Sequence, residues 1–383
     1  MSQSLTSTQQ YVSPTHMGRV KFHKAQAQGV KETQQSGRIH PLWPACWSLA
    51  RLLVRTCHST NRRAYHTDNN AVASGEMSRS RLQRLAFHLH TLWLFTKSDM
   101  PTSTGINITF AIAGILAGPG VISDASINWS DMGRGILVAL YFTWHLTLCF
   151  NLGNQRQPQS IVEDGANKPW RPIPSGRISP EVTRTLQLLS IASLLALCGG
   201  WFGATHETCF YLFCTWLYNE RAWGDKTWWQ RALMNACGIT TNRVATLRVL
   251  IGAIQGADSY EFTDKAWGWF LIFAAIVFTT IQVQDLRDQE GDALIDRATF
   301  PLIIGDAPTR WLTAAAVLSW SALCTRYWSL GLAGYAFSIA TGALVSAHML
   351  VYRTRQHDRW SFRLVGAWWI ALYFLPVMKS HGY

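Results

Sequence analysis

From about residue 85 to the C-terminus, apolar stretches of membrane-spanning length recur between short polar loops. Roughly 20 apolar residues carry a helix across the hydrocarbon core of a bilayer. The repetition therefore predicts an all-α, polytopic membrane protein. Spans are expected near 85–119, 132–151, 181–203, 207–220, 236–253, 266–284, 308–326, 329–351 and 362–379, about nine transmembrane helices in all. Charged residues agree: they make up 15% of the chain, against about a quarter in an ordinary soluble domain. The first span is interrupted by TKSDMPTS at 97–104, where Ser98 or Asp99 is expected to cap a new helical start beside Pro101. The fifth carries Arg243 and Arg248. An arginine at span depth costs roughly 2.5–3.5 kcal/mol on insertion scales, so each should face a cavity or snorkel.

The basic residues supply an independent test of that topology. With nine spans, the N-terminal tail and the loops after spans 2, 4, 6 and 8 share one side and hold 26 Lys/Arg. The other side holds four: Arg134, Lys265, Arg326 and Lys379. Lys/Arg excess marks the cytoplasmic face. The net charge of +12 is concentrated in residues 1–84, which have 12 Lys/Arg against Glu32, Asp68 and Glu76. A nearly neutral body argues against nucleic acid as a partner, since such a domain would carry its charge along one folded face. The tail, 1–84, reads as a basic, polar, largely disordered segment. It also has the composition of a transit peptide, and 41–57 could form an interfacial amphipathic helix. The eight cysteines contain no Cys-x-x-Cys pair and give no disulfide or zinc framework.

Within the body, residues 85–383, acids concentrate in two loops on the basic side. The first, NLGNQRQPQSIVEDGANKPWRPIPSGR (151–177), carries Glu163 and Asp164; the second, QVQDLRDQEGDALIDRATFPL (282–302), carries five. Asp285, Asp288 and Asp292 are spaced i, i+3, i+7, so a sixth helix continuing past the membrane would place all three on one face. Three like charges there repel unless a divalent cation binds them, and hard magnesium prefers carboxylate oxygen, phosphate and water. Arg287 and Arg297 could then meet phosphate oxygens. In the first loop, Asn154 and Asn167 offer amide oxygens and Lys168 and Arg171 positive charge, while Pro169, Pro172 and Pro174 stiffen the backbone after the acids.

The run from Asp164 to Arg177, D-x-x-N-K-P-x-R-P-I-P-S-G-R, and the D-x-x-D-x-x-x-D of 285–292 followed by R-x-T resemble the paired Asp-rich motifs of the UbiA superfamily of intramembrane prenyltransferases. The resemblance spans about 85–380. It implies a UbiA-like bundle with a central cavity, magnesium as cofactor, and a prenyl diphosphate substrate handled at the bilayer. Carried over to this sequence, it implies Asn154, Glu163, Asp164, Asp285, Asp288 and Asp292 as metal ligands. Asp164, Asp285, Asp288 and Asp292 would carry the catalytic step, and Lys168, Arg171, Arg297, Tyr218, Arg221 and Lys226 would bind diphosphate. The chain departs from the family at Asn154-Gln155, where the first motif usually opens with Asn-Asp, and this leaves open which of Asn154, Glu163 and Asp164 ligates. YNERAWGDKTWWQR (218–231) keeps Tyr218 but offers Arg221, Lys226 and Arg231 as alternative basic partners.

The pattern is similar to a fungal branch of membrane-bound terpene cyclases. It implies cyclisation of farnesyl diphosphate to a sesquiterpene such as β-trans-bergamotene. The motifs are expected to face the cytosol from the endoplasmic reticulum, with the mitochondrial inner membrane as the alternative. Two other functions compete: prenyl transfer to an aromatic acceptor, and a non-enzymatic transporter or receptor, which would place polar groups near midplane. Trp144, His145, Trp201, Trp216, Phe273 and Trp369 could stabilise a cation, but interface belts and packing also explain them.

Overall fold

A computed structural model describes residues 81–123, 127–256, 260–294 and 296–382. The expectations for the tail therefore lie outside the described residues, except that 81–84 open the first helix. The helices are α1 (Arg81–Thr96), α2 (Ile106–Leu116), α3 (Met132–Gln155), α4 (Pro158–Asn167), α5 (Pro180–Leu197) and α6 (Thr205–Asn219). They continue with α7 (Trp228–Gln255), α8 (Asp264–Thr280), α9 (Asp306–Tyr327), α10 (Leu332–Val351), α11 (Arg355–Tyr373) and α12 (Leu375–Ser380). Each expected span coincides with helix. Five stretches among the described residues are long and apolar enough to cross a membrane: Trp129–Gln155, Pro180–Phe202, Asp264–Leu286, Leu332–Val351 and Arg355–Ser380. The others are shorter or carry charge, as α7 does with Arg231, Arg243 and Arg248.

α7 is the central helix, packed against α2, α3, α6 and α8. α9, α10 and α11 stack in succession, and α11 returns onto α2. Two short strands, β1 (Ile122–Ser123) and β2 (Glu261–Phe262), pair antiparallel with Ile122 opposite Phe262. α3 starts soon after β1 and α8 directly after β2. Both helices run away from the paired strands, so the two acidic loops that follow them emerge at the opposite end of the bundle.

Two local expectations need correction. Neither Ser98 nor Asp99 caps a restarting helix. The chain passes through a wide turn at Met100–Gly105 without a side-chain cap, and Asp99 Oδ2 instead accepts from Asn151 Nδ2 at 2.8 Å. Nor does α8 continue through the second motif. It stops at Thr280; Asp285 and Asp292 sit on separate short helices, Val283–Leu286 and Gln289–Leu294, with Asp288 in the turn between them. The hydroxyls of Thr279 and Thr280 donate back to the carbonyls of Ala275 and Ile276, at 2.8 and 2.7 Å, and Gln282 Nε2 donates to the Phe278 carbonyl. Such side-chain bonds compete with the helical ladder and bend it.

Candidate active site

Backbone chemistry places the charged groups first. Asp296 adopts a left-handed conformation, φ 51°, which lets the Arg297 amide donate to the Asp292 carbonyl at 3.0 Å. Gly176, φ 70°, does the same for the bond from the Arg177 amide to Pro172. The first closes the end of the helix Gln289–Leu294 and sets Arg297 beside Asp292, whereas the second closes a loop turn and sets Arg177 against α1, bonded to the Thr91 hydroxyl and the Phe87 carbonyl. Ala222 is also left-handed, φ 54°, where the chain turns into the helical turn Trp223–Lys226 that carries Asp225.

Two arginines tie the elements together. Arg231, at the start of α7, reaches Asp285 Oδ1 from Nε at 3.2 Å and donates to the Tyr218 hydroxyl at 2.7 Å and the Gly224 carbonyl at 3.3 Å. Arg297 donates to Asp292 Oδ1 and Asp225 Oδ1, each at 2.7 Å, and lies 3.7 Å from Glu163. Arg297 thus joins the first acidic loop to the second, and Arg231 joins the second to the end of α6. Asp285 and Asp292 are buried. Burial pushes the Asp292 carboxyl up to about 6 against the opposing pull of Arg231 and Arg297. Asp288 stands apart, paired with its neighbour Arg287 at 3.1 Å. The three aspartates therefore do not form one unpaired carboxylate face: each has its own arginine, which offsets the repulsion that Asp288 exerts on Asp285 and Asp285 on Asp292.

In the first loop, Arg171 donates to both Asp164 oxygens, at 2.8 and 2.7 Å. This pair is buried, and both bonds come from one nitrogen, Nη1, so a single charge-assisted donor bridges the two carboxylate oxygens. Lys168 sits nearby. Burial, then the Arg171 and Arg287 charges, lower its ammonium below the ordinary lysine value, while Asp164 and Asp99 oppose this. Asn154 Nδ2 donates to Asn219 Oδ1 at 3.1 Å, binding the end of α3 to the end of α6.

The remaining sequence candidates divide. Tyr218 belongs to the cluster through Arg231. Arg221 and Lys226 do not: both are exposed, and Arg221 lies over the Trp216 ring. Arg231, which the sequence offered only as an alternative partner, takes the central place. Asp225 was inside the same motif but carried no spacing signal of its own. Among the aromatic candidates, Trp201 and Trp216 lie on the exposed face, whereas Phe273 and Trp369 are buried in the bundle.

The donors suit a hard divalent cation in kind. Asp292 Oδ2 is buried with no hydrogen-bond partner, which leaves it free to coordinate. Among the described residues, no three acidic, His or Cys side chains converge on one point. Carboxylates here would contribute singly or in pairs, leaving positions for phosphate oxygen and water.

Residues 106–373 match the UbiA prenyltransferase family. The chain belongs to the UbiA prenyltransferase family. As a member it is an integral membrane enzyme that uses prenyl diphosphates. It is similar to somaliensene A/B synthase of Streptomyces somaliensis, 26% identical over 289 residues, covering 73% of this chain and 90% of that protein. It is also similar to fumagillin β-trans-bergamotene synthase of Aspergillus fumigatus, 26% identical over 312 residues and covering 76% and 92%. A UbiA homolog from Archaeoglobus fulgidus bound to GPP and Mg2+ shares the fold, with a TM-score of 0.51, 13% identity and coverage of 75% and 99%.

Within this UbiA bundle, Tyr218→Phe tests the link through Arg231. Losing one hydroxyl bonded to a charged group costs about 1.5–3 kcal/mol. Turnover with saturating prenyl diphosphate is expected to fall by about tenfold or more, with thermal stability lowered. An unchanged rate would remove Tyr218 from the working cluster.

Proposed function

We propose that this UbiA enzyme is a magnesium-dependent sesquiterpene cyclase. It ionises farnesyl diphosphate and closes the resulting carbocation into a cyclic hydrocarbon, with β-trans-bergamotene as a candidate product. The observation that carries this reading is the paired-arginine cluster, in which Arg297 spans Glu163, Asp225 and Asp292 while Arg231 spans Tyr218 and Asp285. The names of the two terpene synthase relatives, and the Mg2+ and GPP bound to the archaeal homolog, support it.

Asp285, Asp288 and Asp292, with Glu163 and Asn154, would hold magnesium. When bound, the metal would withdraw charge from the leaving diphosphate. Asp164, with both oxygens on Arg171, holds that arginine in place. Arg171, Lys168, Arg231 and Arg297 can stabilise diphosphate oxygens as the carbon–oxygen bond breaks. The buried apolar interior excludes water, which would otherwise capture the cation. The Lys/Arg asymmetry supports a cytosolic orientation of the acidic loops, and the membrane is placed as that of the endoplasmic reticulum, with the mitochondrial inner membrane as the alternative.

Transfer to an aromatic acceptor is the second reading, favoured by the family's own chemistry. Membranes containing the protein, given farnesyl diphosphate and magnesium with no acceptor, are expected to release diphosphate and a cyclic hydrocarbon. A chelator should abolish both. Turnover that appears only when an acceptor is added would overturn cyclisation and leave transfer.

A further inference from the structure

Arg243 lies in the middle of α7, the central helix, and is only 1% exposed. It neither snorkels nor faces an acid. Its Nε and Nη1 are buried without hydrogen-bond partners. Its guanidinium instead lies against three rings, 4.7 Å from Trp369, 5.3 Å from Phe273 and 5.5 Å from Tyr373. The Trp369 indole N–H and Tyr373 hydroxyl are also buried and unpaired, so the cage supplies π faces and no counter-charge. Arg248, five residues further along, behaves differently and pairs with Glu207 at 2.7 Å.

An isolated buried cation is among the costliest groups a bundle can hold, and a packing role would be filled better by leucine or methionine. Its position offers a reason. Twelve residues separate Arg243 from Arg231 on one helix, about 18 Å at 1.5 Å per residue. Arg231 holds Asp285 at the acidic end. Arg243 is therefore too deep to meet a diphosphate held at Arg231, at a depth comparable with the length of a prenyl chain. Its neighbour Asn242 is locked by the Thr143 hydroxyl at 3.0 Å and the Thr246 hydroxyl at 3.2 Å, which fixes the helix face.

We propose that Arg243, clasped by Phe273, Trp369 and Tyr373, is the floor that limits prenyl chain length and keeps the travelling positive charge away from the distal end of the bundle. Aromatic faces that would otherwise stabilise a carbocation are already occupied by a fixed cation. A longer chain would have to displace a guanidinium, and a cation moving toward it meets like charge.

This inference rests on the reading of the chain as a prenyl-diphosphate enzyme, and two measurements separate the two. In the unmodified protein, kcat/KM is measured for geranyl, farnesyl and geranylgeranyl diphosphate. Farnesyl is expected to exceed geranylgeranyl by about tenfold or more, the low end of what one pocket contact achieves. Equal use of both overturns the floor alone, while turnover of none of the three overturns the functional reading and the floor with it. Arg243→Met, with a similar stem and no charge, is expected to erase that preference and alter the product mixture, and Arg243→Lys to retain most of it. A lowered Tm with unchanged chain-length ratio and unchanged products would show a structural role only and overturn the proposal.

Discussion

Asp285→Ala is expected to reduce diphosphate release from farnesyl diphosphate by about a thousandfold, the upper range for removing one preorganised electrostatic group. Asp285 is buried and holds Arg231, which in turn holds Tyr218. The substitution therefore removes a candidate metal ligand and loosens an arginine proposed to meet diphosphate in one step. It also leaves a buried guanidinium without its carboxylate, and breaking a buried pair typically costs about 3–5 kcal/mol. Stability and catalysis must be separated. Asp285→Ala combined with Arg231→Met is expected to recover much of the lost Tm, because no uncompensated charge remains, and to recover no activity. Asp288→Ala is expected to impair release as well, through the lost carboxylate, with a smaller stability effect because its pair with Arg287 is more exposed. Steady-state diphosphate release with saturating magnesium reads both. Unchanged turnover in both single variants would remove the metal-site argument.

A second large loss of stability is expected at Asp358→Ala. Arg310 is fully buried and donates to both Asp358 oxygens, at 2.6 and 2.9 Å, to both Asp306 oxygens and to the Met349 carbonyl. One guanidinium thereby joins α9, the end of α10 and the start of α11. Gln289 Nε2 donates to Asp306 Oδ1 at 3.0 Å, so the second acidic loop rests on the same clamp. Hydrogen bonds from Arg310 hold the Asp306 carboxyl below the usual carboxylate range. Without Asp358, Asp306 still offsets part of the Arg310 charge, so the cost falls near the lower end of the buried-pair range, about 3 kcal/mol. That corresponds to a Tm decrease of roughly 6 °C or more. Thermal unfolding in detergent measures it, and Asp358→Leu with Arg310→Met should restore most of the loss. A Tm within about 2 °C of the unmodified protein would show that the clamp contributes little.

Much of the candidate site was legible because it uses residues that apolar spans otherwise exclude. Glu163, Asp164, Asp285 and Asp292 stood out as acids in a charge-poor body, and the prolines after Asp164 marked the turn that delivers Arg171. Arg231 could not be singled out. Three cations follow Tyr218 in the sequence, and only the left-handed turn at Ala222 and the entry angle of α7 bring one of them to Asp285. The shared carboxylate face failed for a related reason. Helical spacing carries no signal for the Thr279 and Thr280 hydroxyls bonding back and ending α8 early.

The sequence alone determined a helical membrane bundle and the two acidic loops that make up the candidate site. These follow from solvation, which acts on each segment separately and is written in local composition. The tertiary structure decided which cation meets which carboxylate, that Asp164 is committed to Arg171, and that Arg243 sits among aromatic rings instead of reaching water. Those pairings join helices far apart in the chain, so they depend on where each helix stops and on the face it turns toward its neighbours.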